Sequence, residues 1–174
     1  MKKIIIALAL IITILSLNKE QTVTIPKDSI RFRVIANSNK EEDQELKKKV
    51  VNNLKNEVLK LEYTPKNINN TRNNIKNQIP DFKMNIDQTL KENNSNMEYT
   101  INYGMNYFPE KEYKGVIYKE GNYESLVVTL GDGLGENFWC VLFPPLCMLE
   151  AEDEEKLNNV EYKSFIKEVI DKYF

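Results

Sequence analysis

The sequence predicts an α+β domain: a mostly antiparallel sheet with a central hairpin, three helices inserted after the first strand, and a C-terminal helix. Three observations predict it. Tyr123–Leu130 and Phe138–Phe143 are apolar runs around a glycine-rich middle, Gly131-Asp132-Gly133-Leu134-Gly135, and Pro144-Pro145 stops the second run. Met97, Tyr99, Ile101, Tyr103, Met105 and Tyr107 alternate strictly with Glu98, Thr100, Asn102, Gly104 and Asn106, the period of a strand with one wet face. Leu46, Val50, Leu54, Val58 and Leu61 recur at helical spacing. Helices and strands are segregated along the chain, which is the α+β order.

The elements follow in sequence. Lys2 and Lys3 precede the apolar run Ile4–Leu17, the pattern of an export signal over residues 1–20. That run is short against the roughly 20 residues of a spanning helix. Leu15-Ser16-Leu17-Asn18 is a poor cleavage site, so a cut leader and a tether at 4–17 both remain open. Residues 21–28 read as a polar spacer, 29–149 as the folded domain, and 150–174 as an acidic connector with an amphipathic helix. Ile30, Phe32, Val34 and Ala36 share one side of a strand that Asn37-Ser38 ends. Ser38 with Glu41 forms a capping-box pattern for the first helix. Thr64-Pro65 marks a second helix start, Pro80 is expected to break that helix, and Phe82, Ile86 and Leu90 then suggest a third. Val116–Tyr118 is a short strand before the hairpin, and Tyr162, Phe165, Ile166, Val169 and Tyr173 line the last helix.

Composition excludes several classes. The formal charge is −2 and no basic patch stands out, so nucleic acid is not an expected partner. Losing residues 1–20 removes Lys2, Lys3, Lys19 and Glu20, leaving a more acidic remainder that would not seek an anionic lipid surface. With no histidine, serine and cysteine nucleophiles lack their usual base, and two cysteines alone make no common zinc site. No cofactor is expected: the glycine-rich middle lacks a Lys-Ser/Thr ending and precedes a strand instead of a helix. Glu124, Asp132 and Glu136 are the remaining catalytic option. A carboxylate pair about 5 Å or about 7–9 Å apart could hydrolyse a glycan, so a cell-wall glycan hydrolase or binding protein is the alternative function.

Two other groups point to a protein partner. Arginine occurs only at 31, 33 and 72, so Arg31 and Arg33 in one strand suggest a place for the planar guanidinium fork. Pairing with carboxylates on the sheet is the structural alternative. Trp139, Phe143, Pro144, Pro145 and Leu146 are either core or a contact patch. The Leu146-Cys147-Met148-Leu149 segment must leave the sheet after the prolines. Cys140 and Cys147 can bridge only if the chain doubles back there; two buried free thiols are the other outcome.

Ile30–Val50 (IRFRVIANSNKEEDQELKKKV) and Tyr123–Cys147 (YESLVVTLGDGLGENFWCVLFPPLC) together closely resemble the stage II sporulation protein R family of endospore-forming bacteria. Phe138 stands where a second tryptophan is common, and the Asn- and Lys-rich middle carries no family signature. The resemblance implies a signal made in the forespore and exported into the space between the forespore and mother-cell membranes. It implies as partner a membrane-embedded aspartic protease that processes the sigma-E precursor. The expected contacts are Arg31, Arg33, Trp139, Phe143, Pro144, Pro145 and Leu146, with no catalytic residue and no metal. Membrane contact is expected only through an uncut leader.

Overall fold

The computed structural model describes residues 23–63, 67–147 and 159–174. The expected leader, the Thr64-Pro65 start, Met148, Leu149 and the acidic connector lie outside them. Among the described residues no helix is long and apolar enough to cross a membrane.

The chain runs β1 (Val23–Thr24), β2 (Ile30–Ile35), α1 (Glu41–Tyr63), α2 (Ile68–Glu92), β3 (Tyr99–Phe108), β4 (Lys111–Tyr113), β5 (Val116–Tyr118), β6 (Gly121–Leu130), β7 (Asn137–Phe143) and α3 (Asn159–Tyr173). This is an α+β fold. The main sheet has the order β3-β6-β2-β7 and a small sheet the order β1-β5-β4. Both are mixed, because β2 runs parallel to β6 and β1 runs parallel to β5. The remaining neighbours are antiparallel.

The predicted central hairpin is corrected by this order. β6 and β7 are consecutive and run in opposite directions, but β2 lies between them and bonds to both. Two strand spacings, roughly 10 Å, therefore separate them. Residues 131–136 turn and cross over the end of β2, and do not form a hairpin turn between paired strands. Alternation identifies strands without naming their neighbours, which is why the pattern suggested direct pairing.

The apolar stripes meet on one face of the main sheet. Ile30, Phe32 and Val34 of β2 join Leu126, Val128 and Leu130 of β6, with Leu46, Val50, Leu54, Val58 and Leu61 of α1 packed over them. All three β2 residues are essentially inaccessible. Ile75, Phe82, Ile86 and Leu90 of α2 complete this core.

Two helices, not three, follow β2. Pro80 lies inside α2. It faces solvent, as does Lys76 one turn earlier, so the carbonyl left without its N–H partner can be hydrated. Burial of Ile75 and Phe82 on either side holds the helix through the proline. Asn67 caps α2, its side chain accepting from Asn70 N at 3.0 Å. The capping box at Ser38 does not form: α1 starts at Glu41, and the Ser38 hydroxyl donates to Asp43 at 2.6 Å.

The other face of the sheet carries a second core. Val141 and Leu146 pack with Val23 and Ile25 from the expected spacer, Val116 and Tyr118 of β5, and Tyr162 and Ile166 of α3. The apolar stripe of α3 is thus occupied by its own domain.

Candidate functional site

Two neighbouring places on the main sheet gather the residues singled out above. The first is the crossing between β6 and β7. Asn37 and Asn39 follow β2, so they lie beneath residues 131–136 and bond to them. Asn37 Oδ1 accepts from Asp132 N at 2.9 Å, and Asn39 Oδ1 accepts from Glu136 N at 2.7 Å. Backbone bonds run between the same segments, from Leu134 N to Asn37 O at 3.0 Å and from Gly135 N to Ala36 O at 2.9 Å. Gly131 has φ +53°, a conformation that side chains disfavour. Gly135 lies so close that a Cβ would stand 2.3 Å from the Ser38 carbonyl oxygen.

The start of α1 closes the same knot. Asn37 Nδ2 and the Ser38 hydroxyl both donate to Asp43, and these bonds, the Ser38 one foremost, hold its carboxyl below the usual range. Lys47 donates to Gln44 Oε1 at 2.6 Å and to the Glu136 carbonyl at 3.0 Å; burial lowers its pKa. Out of this braced loop projects Leu134, 78% exposed. Sequence reasoning passed over Leu134 as a turn residue. The signal for it was an apolar side chain among three glycines and two acids, where a turn needs none.

The second place is the face of β2 turned away from α1 and α2. Arg31 pairs in register with Ser125 and Val141, and Arg33 with Val127 and Trp139. Arg31 is 1% exposed. Its guanidinium carbon lies 3.4 Å from the Tyr123 ring centre, 5.2 Å from Phe108 and 5.8 Å from Tyr118. Arg33 shares Phe108, at 4.7 Å. Trp139 meets Phe108 edge-on at 5.2 Å and carries Lys111 Nζ over its ring at 5.3 Å.

The expected pairing of these arginines with sheet carboxylates does not occur. All three Arg31 nitrogens and Arg33 Nε are buried without an acceptor in good hydrogen-bond geometry, while Arg33 Nη1 donates to Tyr107 O at 3.4 Å. Burial lowers both pKa values from the ordinary arginine range. For Arg31 the neighbouring Tyr123 and Tyr118 oppose that fall.

The diproline segment folds back instead of forming an open patch. Phe143, Pro144 and Leu146 are buried, and Pro145 is partly so. The Phe143-Pro144 peptide is cis. Cys140 and Cys147 are joined in a disulfide with their Cα atoms 5.1 Å apart.

The three carboxylates are not brought together. Glu124 lies near the start of β6, six residues before its end, which is roughly 20 Å along a strand. Asp132 and Glu136 lie beyond the far end. Glu124 is also engaged: Arg72 Nε and Nη2 donate to it at 2.9 and 2.8 Å, and the Tyr103 hydroxyl donates at 2.5 Å. Burial would raise its pKa, but the Arg72 fork and Tyr103 outweigh this and hold it low. Among the described residues no cluster of His, Cys, Asp or Glu suits a metal ion.

Comparison with known proteins converges on one family. The profile described as stage II sporulation protein R matches residues 26–153. A protein of Bacillus subtilis (strain 168) named stage II sporulation protein R is 33% identical over 155 residues, covering 89% of this chain and 69% of that protein. No solved structure matches.

Proposed function

We propose that this chain, which belongs to the stage II sporulation protein R family, is an exported signal that switches on a membrane-embedded aspartic protease. Family membership gives it a role in sporulation. The finer reading is that it is made in the forespore, acts in the intermembrane space, and leads to processing of the sigma-E precursor. It does so by binding one state of the protease better than another, since only differential affinity shifts an equilibrium.

One observation supports this most. The two stretches that carry the family resemblance, around Ala36–Asn39 and Gly131–Glu136, lock together and hold an apolar tip out of the body. A braced tip loses little freedom on binding, which favours recognition by another protein. Burial divides the expected contacts. Arg33, Trp139 and Pro145 keep accessible surface and, with Leu134, form the proposed contact. Arg31, Phe143, Pro144 and Leu146 act from beneath by fixing its shape.

The test is to co-express the full chain with the protease and the sigma-E precursor and to follow precursor cleavage. Leu134→Asp, with its thermal midpoint unchanged, should reduce cleavage at least tenfold. Full cleavage with both Leu134→Asp and Trp139→Ala in folded protein would remove this surface from the mechanism.

A further inference from the structure

The Arg31 face is short of negative charge. Two guanidiniums lie against one ring, Phe108, and four of their nitrogens are buried with no acceptor in good hydrogen-bond geometry, the tyrosines Tyr123 and Tyr118 being the polar neighbours that ease the burial of Arg31. Lys111 adds a third cation over Trp139. Aromatic faces attract these cations, but rings do not replace the acceptors that N–H groups lose on leaving water. Groups left unsatisfied in this way point to a missing acceptor.

We propose that this cluster is a recognition site for a carboxylate side chain on an acidic peptide segment of the partner. The idea rests on the activator reading and names the feature of the partner that is read. The carboxylate enters beside Trp139, where Arg33 is only partly buried, and pairs with the accessible part of the Arg33 guanidinium. Arg31 lies deeper and supplies a second positive charge in a water-poor setting, where it acts more strongly than at the surface. Trp139, which keeps accessible surface over the buried Phe108, gives the flanking peptide an apolar bed. A free anion would have no use for that bed.

Trp139 is the single tryptophan and therefore reports on its own site. The full chain is titrated with hexaglutamate, hexaglutamine and inorganic phosphate while Trp139 emission is followed. Hexaglutamate should shift the emission saturably, with a half-saturation that weakens as salt rises; hexaglutamine should not. Arg33→Gln should weaken it at least tenfold with the fold retained, and Lys83→Gln, on the helical side, should leave it unchanged. Arg31→Met should abolish it, but because that change alters packing, Arg33→Gln is the deciding variant. No response to hexaglutamate, an unchanged response in Arg33→Gln, or an equal response to phosphate would overturn the proposal. No protease is present in this experiment, so its failure leaves the activator reading standing, and loss of precursor cleavage leaves this one standing.

Discussion

Arg72 closes on Glu124 from the side, placing two nitrogens within 2.9 Å of the carboxylate and tying α2 to β6. Tyr103 of β3 adds a third donor, so one carboxylate fastens three elements. Because the folded pKa of Glu124 is depressed, its contribution is complete above the unfolded carboxyl range near pH 4.3 and is lost as pH falls through the folded value. Glu124→Gln should lower stability at pH 7 by about 1 kcal/mol, since the pair is partly solvated. It should also flatten the stability loss between about pH 5 and 3. An unchanged acid slope by urea unfolding would show that the clasp contributes nothing. The remaining slope belongs in part to Asp43, whose carboxyl is depressed in the same sense.

The Cys140–Cys147 bridge closes a loop of sequence separation 7. A loop that short constrains the unfolded chain modestly, so reduction or Cys147→Ser should cost about 2–3 kcal/mol. Denaturant unfolding with and without reductant measures it. The apolar contacts of Leu146 should keep the reduced protein folded at 25 °C.

Gly135→Ala should destabilise by about 1–3 kcal/mol, as over-packing does, because the new Cβ meets the backbone of Ser38 and not a mobile side chain. Amide exchange at Leu134 and Gly135 should rise, since their bonds to Asn37 and Ala36 lengthen first. A wild-type melting temperature would mean the crossing relaxes freely.

Pro80→Ala should stabilise the protein. Pro80 is exposed and removes one helical hydrogen bond, a defect of roughly 3 kcal/mol in a helix interior. Some of that is returned through the more flexible unfolded chain, so a gain of about 1–2 kcal/mol is expected. A lower thermal midpoint would mean that the proline shapes the packing of Phe82.

Much of this was legible in the residues. The faces of β2 and α1 follow from Ile30, Phe32, Val34 and the Leu46–Leu61 stripe, because burial enforces periodicity. The place of β2 between β6 and β7 was not legible, since pairing at long range leaves no local mark. Pro80 misled for the opposite reason: a strong local signal was overridden by packing of Ile75 and Phe82. At the site, Arg31 and Arg33 were visible as a rare residue type in one strand, but their aromatic setting depends on Phe108 and Tyr123 arriving from other strands. Phe143 and Leu146 looked equally suited to core or surface, and the doubling back at the diproline put them inside.

The position of β2 has a consequence for manufacture. Both of its neighbours come roughly a hundred positions later in the chain, so everything translated in between must wait with β2 bare on two edges. A product interrupted before Phe143 lacks the last strand's pairing with Ile30, so one edge of β2 stays incompletely covered. The main sheet is complete only once Phe143 has been made, which builds a completeness check into the topology itself.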